Sequence, residues 1–142
     1  MSMQQTHDTM EAYLRTLVHR GPFATFFADD VTCTLIGTGQ DVHGRAAVEG
    51  FIRYFHEQAF DARVEVKQTV VGDGRAALEA TFVGTHIGEF QGVPATGKQV
   101  IVPYAVLYDL DTSKITALRI YVPLDVLMRQ LVATPAPASA GA

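Results

Sequence analysis

Between Arg63 and Val122 the chain alternates with a period of two, interrupted only by turn signals, and this constrains its fold more than any other feature. Val64, Val66 and Val70 alternate with Arg63, Glu65, Lys67 and Thr69, the pattern of a strand with one buried face. Gly72-Asp73-Gly74 then reads as a hairpin turn. Ala76 to Thr85 is the next expected strand, and the glycine-rich residues 86–97, with Pro94, a longer hairpin connection. Lys98 to Asp109 is a strand, Asp111-Thr112-Ser113 a turn, and Lys114 to Val122 the last strand. Connections this short suit antiparallel neighbours, because parallel ones need a long crossover.

The first half has a different period. Met10, Tyr13, Leu14, Leu17 and Val18 fall at i, i+3, i+4, i+7 and i+8, one face of a helix, with Thr6 and Asp8 as capping-type residues ahead of it. Gly21-Pro22 ends that helix, and Phe23, Phe26 and Phe27 suggest a short second one opened by the proline. A strand is expected over Val31 to Ile36, a loop over Gly37 to Gly44, and a third helix, carrying Val48, Phe51, Ile52 and Phe55 on one face, over roughly Arg45 to Ala59. Leu124, Leu127, Met128 and Leu131 suggest a short closing helix. The expectation is an α+β fold, a curved antiparallel sheet wrapped around three N-terminal helices. One domain over residues 1–132 precedes an Ala/Pro-rich tail, 133–142, expected to be disordered.

At 142 residues and 48% apolar content the chain can bury a full core. Its single cysteine, Cys33, excludes an internal disulfide framework and a cysteine-rich zinc site. Eleven basic against fifteen acidic residues give a charge of −4, and no two basic residues are adjacent, so a nucleic-acid partner is not expected. The polar start MSMQQTHDTM lacks the pattern of a signal peptide, and the longest apolar run, Val100 to Tyr108, is too short to span a bilayer. A cytoplasmic protein without a membrane partner is expected.

Several motifs give way to simpler readings. Gly92-Val-Pro-Ala-Thr-Gly97-Lys98 fits a phosphate-loop pattern, but Gln99 replaces the magnesium-binding hydroxyl and a strand comes next where a helix is needed. A hairpin connection is the better account. His86 and Glu89 could pair as metal ligands, yet they lie at a strand end and in a loop, and the five histidines show no ligand spacing. No metal or cofactor is expected. Ser2, Ser113 and Ser139 sit in no nucleophile elbow.

Arg119 and Tyr121 stand on one face of the last strand with Ile115 and Ala117, while Thr116, Leu118, Ile120 and Val122 form the other. If the Arg119 face is concave, its guanidinium and the Tyr121 phenol reach a pocket and can bind a carbonyl, enolate or carboxylate. The alternative has Arg119 paired with an acid at the sheet's rim and Tyr121 packed. Tyr13, Tyr104, His43, His56 and His86 are further candidates, each of which also reads as packing or surface.

The order of elements, with Phe27-Ala-Asp-Asp30 before the first strand and His43-Gly-Arg-Ala-Ala-Val-Glu-Gly-Phe51 opening the third helix, resembles the nuclear-transport-factor-two-like, cystatin-like cone. THIGEFQGVPATGKQV followed by KITALRIYVPLDVLMRQL resembles the SnoaL-like polyketide cyclases within it, over roughly residues 6 to 131. The resemblance implies a cone with an apolar pocket and a dimer. In the cyclases an acid–base Asp follows the closing tyrosine by two positions; here that place is Pro123, with Asp125 two residues on. The related ketosteroid isomerases carry a catalytic Asp in the first strand, where an ungapped match puts Leu35. Arg119 and Tyr121 are therefore expected to be the electrophilic stabilisers, with His86 or Asp125 the proton carrier. Tyr13, Leu35 and Tyr104 are expected to touch the ligand. Two functions stay open: a cofactor-free cyclase, isomerase or hydrolase for a small hydrophobic carbonyl or polyketide-like compound, and a non-catalytic ligand-binding or dimerisation domain. A homodimer through the outer sheet face is expected, because both faces of the last strand carry apolar residues.

Overall fold

The computed structural model describes residues 1–132; the expectation of a disordered tail lies outside them. Helix α1, Met3–Val18, begins one turn before the capping-type residues Thr6 and Asp8, because Ser2 and Gln5 form a reciprocal capping box. Thr6 is instead fully buried: its hydroxyl donates to the Ser2 carbonyl (2.8 Å) and accepts from the Gly74 N–H (2.9 Å). That bond ties α1 to the turn between two later strands. Gly21 and Pro22 end the region, but the next element is a single 3-10 turn, Phe23–Phe26, in place of a second α-helix. The N-terminal part thus holds two α-helices and one short turn.

The strands are β1 (Phe27–Leu35), β2 (Gln40–His43), β3 (Phe60–Val71), β4 (Arg75–His86), β5 (Gln99–Asp111) and β6 (Lys114–Tyr121). Helix α2, Arg45–Arg53, continues into a π-helical turn, Tyr54–Gln58, and α3, Leu124–Val132, closes the fold. One open sheet runs in the order β2-β1-β6-β5-β4-β3. The four-strand meander matches the alternation in the sequence, and Thr112 and Ser113 take the left-handed conformations of a tight hairpin turn (φ 47° and 61°).

Three expectations change. The sheet is not wholly antiparallel, because β1 pairs parallel with β6. The chain between those strands is long enough to make that crossover. The loop after β1 contains β2, which pairs with Thr32 to Leu35. Finally, β5 and β6 slip by one residue between Asp109 and Leu110, so that Asp109 faces Ala117 while Leu110 faces Ile115. The extra residue, Thr116, turns Ile115 to the inner face, where it is fully buried.

The concave face carries two apolar clusters. One gathers Tyr13, Phe23, Phe27, Cys33, Tyr108 and Leu118 between α1 and the sheet. The other gathers Phe60, Phe82, Phe90, Val102, Leu127 and Leu131 under α3. Tyr104 packs against both. Because β6 stops opposite Ala105, the first part of β5 lacks a strand on that side. Gln130 of α3 fills the gap: its amide accepts from the Ile101 N–H (2.8 Å) and donates to the Ile101 carbonyl (2.9 Å). Pro103, which has no N–H to offer, sits on the same stretch.

Candidate functional site

A cavity opens on the concave face between the two clusters. Phe51, Ile52, Phe55 and His56 line it from α2 and the π turn, Phe82 and Tyr104 from β4 and β5, and Leu35, Ile120, Val122 and Leu127 from the remaining walls. Its free volume is about 70 Å³, partly open to solvent. That is about half of a cavity known to enclose benzene, so a ring fits only by using the open mouth as well. Apolar walls with few polar groups are the usual make-up of a small-molecule site.

Two polar side chains reach this wall. His56 sits one turn beyond Ile52, on the stripe that begins at Val48, so helical spacing turns it inward. Its Nδ1 lies 2.7 Å from the Ile52 carbonyl, which can only accept, so Nδ1 carries the proton. Nε2 then holds a lone pair; it is buried and has no hydrogen-bond partner among the described residues. Burial is the main cause that lowers the His56 pKa below its ordinary 6.5, and the nearby Arg20 charge adds to it. The imidazole is therefore neutral at pH 7. Tyr104 is pushed the other way: burial raises its phenol well above 10, so it keeps its proton.

The backbone around His56 is held from several sides. The π turn closes on a bond from the Ala59 N–H to the Tyr54 carbonyl (2.7 Å), five residues apart. Such turns recur at functional sites. Arg20, itself left-handed (φ 56°), donates through Nη2 to the carbonyls of His56 (3.1 Å) and Ala62 (2.8 Å) and to Asp61 (2.6 Å). Ile87 and Gly88 both donate to the Ala59 carbonyl, and the Tyr54 hydroxyl donates to the Glu89 carbonyl (2.6 Å).

Of the residues singled out in the sequence, Leu35 and Tyr104 stand in this wall. Tyr13 lies deeper, buried against Phe23, Phe27 and Tyr108. Arg119 and Tyr121 are elsewhere. The inner face of β6 is the one carrying Leu118 and Ile120, so the Arg119 face is convex. There Arg119 makes a bidentate bond to Asp109 (2.9 and 3.1 Å), a pairing with an acid in place of a ligand, and Tyr121 is 43% exposed. His86 is fully buried but outside the cavity wall. Its Nδ1 accepts from the Thr96 N–H (3.1 Å), which pins the 86–97 connection, and its ring packs 5.2 Å from Phe60. Asp125 is exposed on α3, 3.5 Å from Arg129, and it is the Pro123 carbonyl that accepts the first helical N–H groups. The expected proton carriers and stabilisers are thus spread over three separate places. His56, like Tyr104 placed among the further candidates, reaches the cavity; its signal is a polar residue on the apolar stripe of Val48 and Ile52.

Burial pushes the Cys33 thiol up to about 12, leaving it a poor nucleophile. Among the described residues no group of three His, Cys, Asp or Glu side chains is placed to hold a metal ion. Among them, too, no helix is long and apolar enough to cross a membrane.

A family model described as SnoaL-like polyketide cyclase matches residues 8–131. Among solved structures, a candidate SnoaL-like polyketide cyclase from Jannaschia sp. CCS1 is 21% identical, over 94% of this chain and 95% of its own, with a TM-score of 0.83. A candidate polyketide cyclase from Xanthomonas campestris pv. campestris is 21% identical, over 91% and 98%, with a TM-score of 0.81. A candidate hydroxylase from Streptomyces galilaeus is 21% identical, over 94% and 100%, with a TM-score of 0.77. At such identities the likeness is one of fold. No curated protein matches the sequence.

Proposed function

The chain belongs to the SnoaL-like polyketide cyclase family, and we propose that it is a cofactor-free acid–base catalyst for a small hydrophobic carbonyl or polyketide-like compound. The observation that carries this reading is a neutral imidazole with a free lone pair and a protonated phenol in one apolar wall. A ketone placed between them loses an α-proton to Nε2 of His56, while the Tyr104 hydroxyl donates to the carbonyl oxygen as negative charge develops there. The proton then sits on the imidazole and the electron pair in the enolate. Return of the proton to another atom is an isomerisation; attack of the enolate carbon on a second carbonyl is a cyclisation. Because the lowered pKa makes the imidazolium a ready donor, the proton is easily given back.

The second reading, a non-catalytic binding or dimerisation domain, is favoured by the absence, among the described residues, of any carboxylate from the cavity wall. Deuterium exchange separates the two. With phenylacetone in deuterium oxide, followed by NMR, the wild type accelerates α-proton exchange over buffer and His56→Phe does not, while Arg119→Ala still does. Binding of phenylacetone with no acceleration would support the binding domain and end the catalytic reading. A cytoplasmic setting suits the lone buried thiol of Cys33, which needs no oxidised partner.

A further inference from the structure

We infer that, at Nε2 of His56, the cavity selects an uncharged ring that donates a hydrogen bond, a phenol or the enol form of a carbonyl compound, over one that presents only an acceptor there and over a carboxylate. The inference deepens the proposed function and rests on this cavity being the ligand site. The selectivity comes from which ring nitrogen is occupied. The Ile52 carbonyl takes the Nδ1 proton of His56 at 2.7 Å, so the helix backbone itself sets the tautomer. The two ring nitrogens lie on different sides of the imidazole. With Nδ1 held by the Ile52 carbonyl, Nε2 is the ring nitrogen left over, in an imidazole that lines the cavity and packs 5.5 Å from Phe82 of β4. Nε2 is fully buried and, among the described residues, without a partner, and a buried acceptor left unpaired is costly. A ligand hydroxyl relieves that cost; an ether or a ketone oxygen at the same place sets lone pair against lone pair.

Charge points the same way. Among the described residues no Lys or Arg lines the cavity. Arg20, Arg53 and Arg63 line, with Glu57, a separate crevice that His56 also borders. Arg53 is already engaged by Glu49 (2.9 Å) and Glu57 (2.8 Å), and Arg20 by Asp61 (2.6 Å). A carboxylate entering the cavity would lose its water without gaining a counter-ion. The walls supply the complement for a ring: Phe51 and Phe55 meet edge to face at 5.1 Å, and Phe82 meets His56 in the same manner at 5.5 Å.

Calorimetric titration with p-cresol, 4-methylanisole and p-toluate tests this without any turnover. The wild type is expected to bind p-cresol about tenfold more tightly than 4-methylanisole, the scale of one buried hydrogen bond, and p-toluate least. In His56→Phe the two neutral rings bind alike. In wild-type protein carrying 15N-labelled histidine, p-cresol moves the Nε2 resonance of His56 and leaves Nδ1 nearly unchanged, a readout that does not depend on the variant folding. Equal binding of cresol and anisole by the wild type, a cresol preference that survives in His56→Phe, or tightest binding of p-toluate overturns the inference while leaving the cavity as a ligand site. Binding of none of the three removes the cavity reading as well.

Discussion

The guanidinium of Arg119 lies against the carboxylate of Asp109 across β5 and β6, with both N–H···O bonds near 3 Å, on the side of the sheet away from the cavity. The pair holds the Asp109 carboxyl below its ordinary value, through the hydrogen bond first. Both side chains are about one-third exposed, so solvent screening keeps its worth under about 1 kcal/mol. Arg119→Ala is expected to bind p-cresol as the wild type does and to melt within a few degrees of it. Loss of binding in a folded Arg119→Ala protein would return Arg119 to the ligand site. The pair's contribution is present above about pH 4 and fades as Asp109 is protonated.

The buried imidazole makes stability depend on pH. In the unfolded chain His56 takes up a proton near its ordinary 6.5, whereas in the folded protein burial holds its pKa lower. Between those two values the unfolded state binds more protons, so stability is full above about pH 6.5, declines as pH falls through that window, and levels off below it. His56→Phe should flatten this slope in denaturant titrations at pH 5 to 8. Arg20→Leu removes a neighbouring positive charge and should raise the His56 pKa toward 6.5, read by NMR titration; an unmoved pKa would show that Arg20 acts on the turn alone.

Gly88 is required by contact rather than by conformation. A β-carbon there would overlap the Gln58 carbonyl oxygen, at the end of the π turn. Gly88→Ala must push that turn aside, and is expected to cost about 2–3 kcal/mol, the scale of core overpacking. Urea unfolding measures it. The displaced turn should also weaken p-cresol binding, a second effect that a remote destabilising change would not have.

The outer sheet face carries Val70, Ile101, Leu107 and Tyr121, exposed by 63%, 56%, 36% and 43%. All four share the outward parity of their strands. An apolar surface of this kind is suited to an interface, and a homodimer through it is expected. Sedimentation equilibrium at micromolar concentration should give twice the chain mass, and Leu107→Lys half of that. A wild-type monomer would count against the interface.

How much of this was legible in the sequence depends on the range of the cause. The meander from β3 to β6 is local: alternation and turn residues such as Thr112 and Ser113 place it to within a few residues. Helix α1 was found by spacing, and its early start was missed because the Ser2–Gln5 capping box precedes the apolar stripe. The direction of Arg119 was not legible. Period 2 tells which residues share a face, but with apolar residues on both faces of β6 it does not tell which face the helices cover. The slip at Thr116 further removes Ile115 from the side that alternation assigned it. His56 was visible as a polar member of an apolar stripe, yet only the tertiary placement of α2 decides whether such a residue meets a cavity.

The parallel pairing of β1 with β6 also sets an order of assembly. Thr32 to Leu35 leave the ribosome early but find their partners at Ala117 to Ile120. Until then β1 has only the short β2 beside it, and Phe27 and Val31, both fully buried in the finished protein, lack the neighbours that β6 supplies. The meander can zip from its hairpins in the meantime, since its contacts are close in sequence. Joining the two ends of the sheet is the non-local step that pays the largest loop-closure entropy, and it should limit the refolding rate. A circular permutant that links the two termini and opens the chain between His43 and Arg45 would keep every hairpin, bring β6 and β1 closer in sequence, and refold faster than the native order.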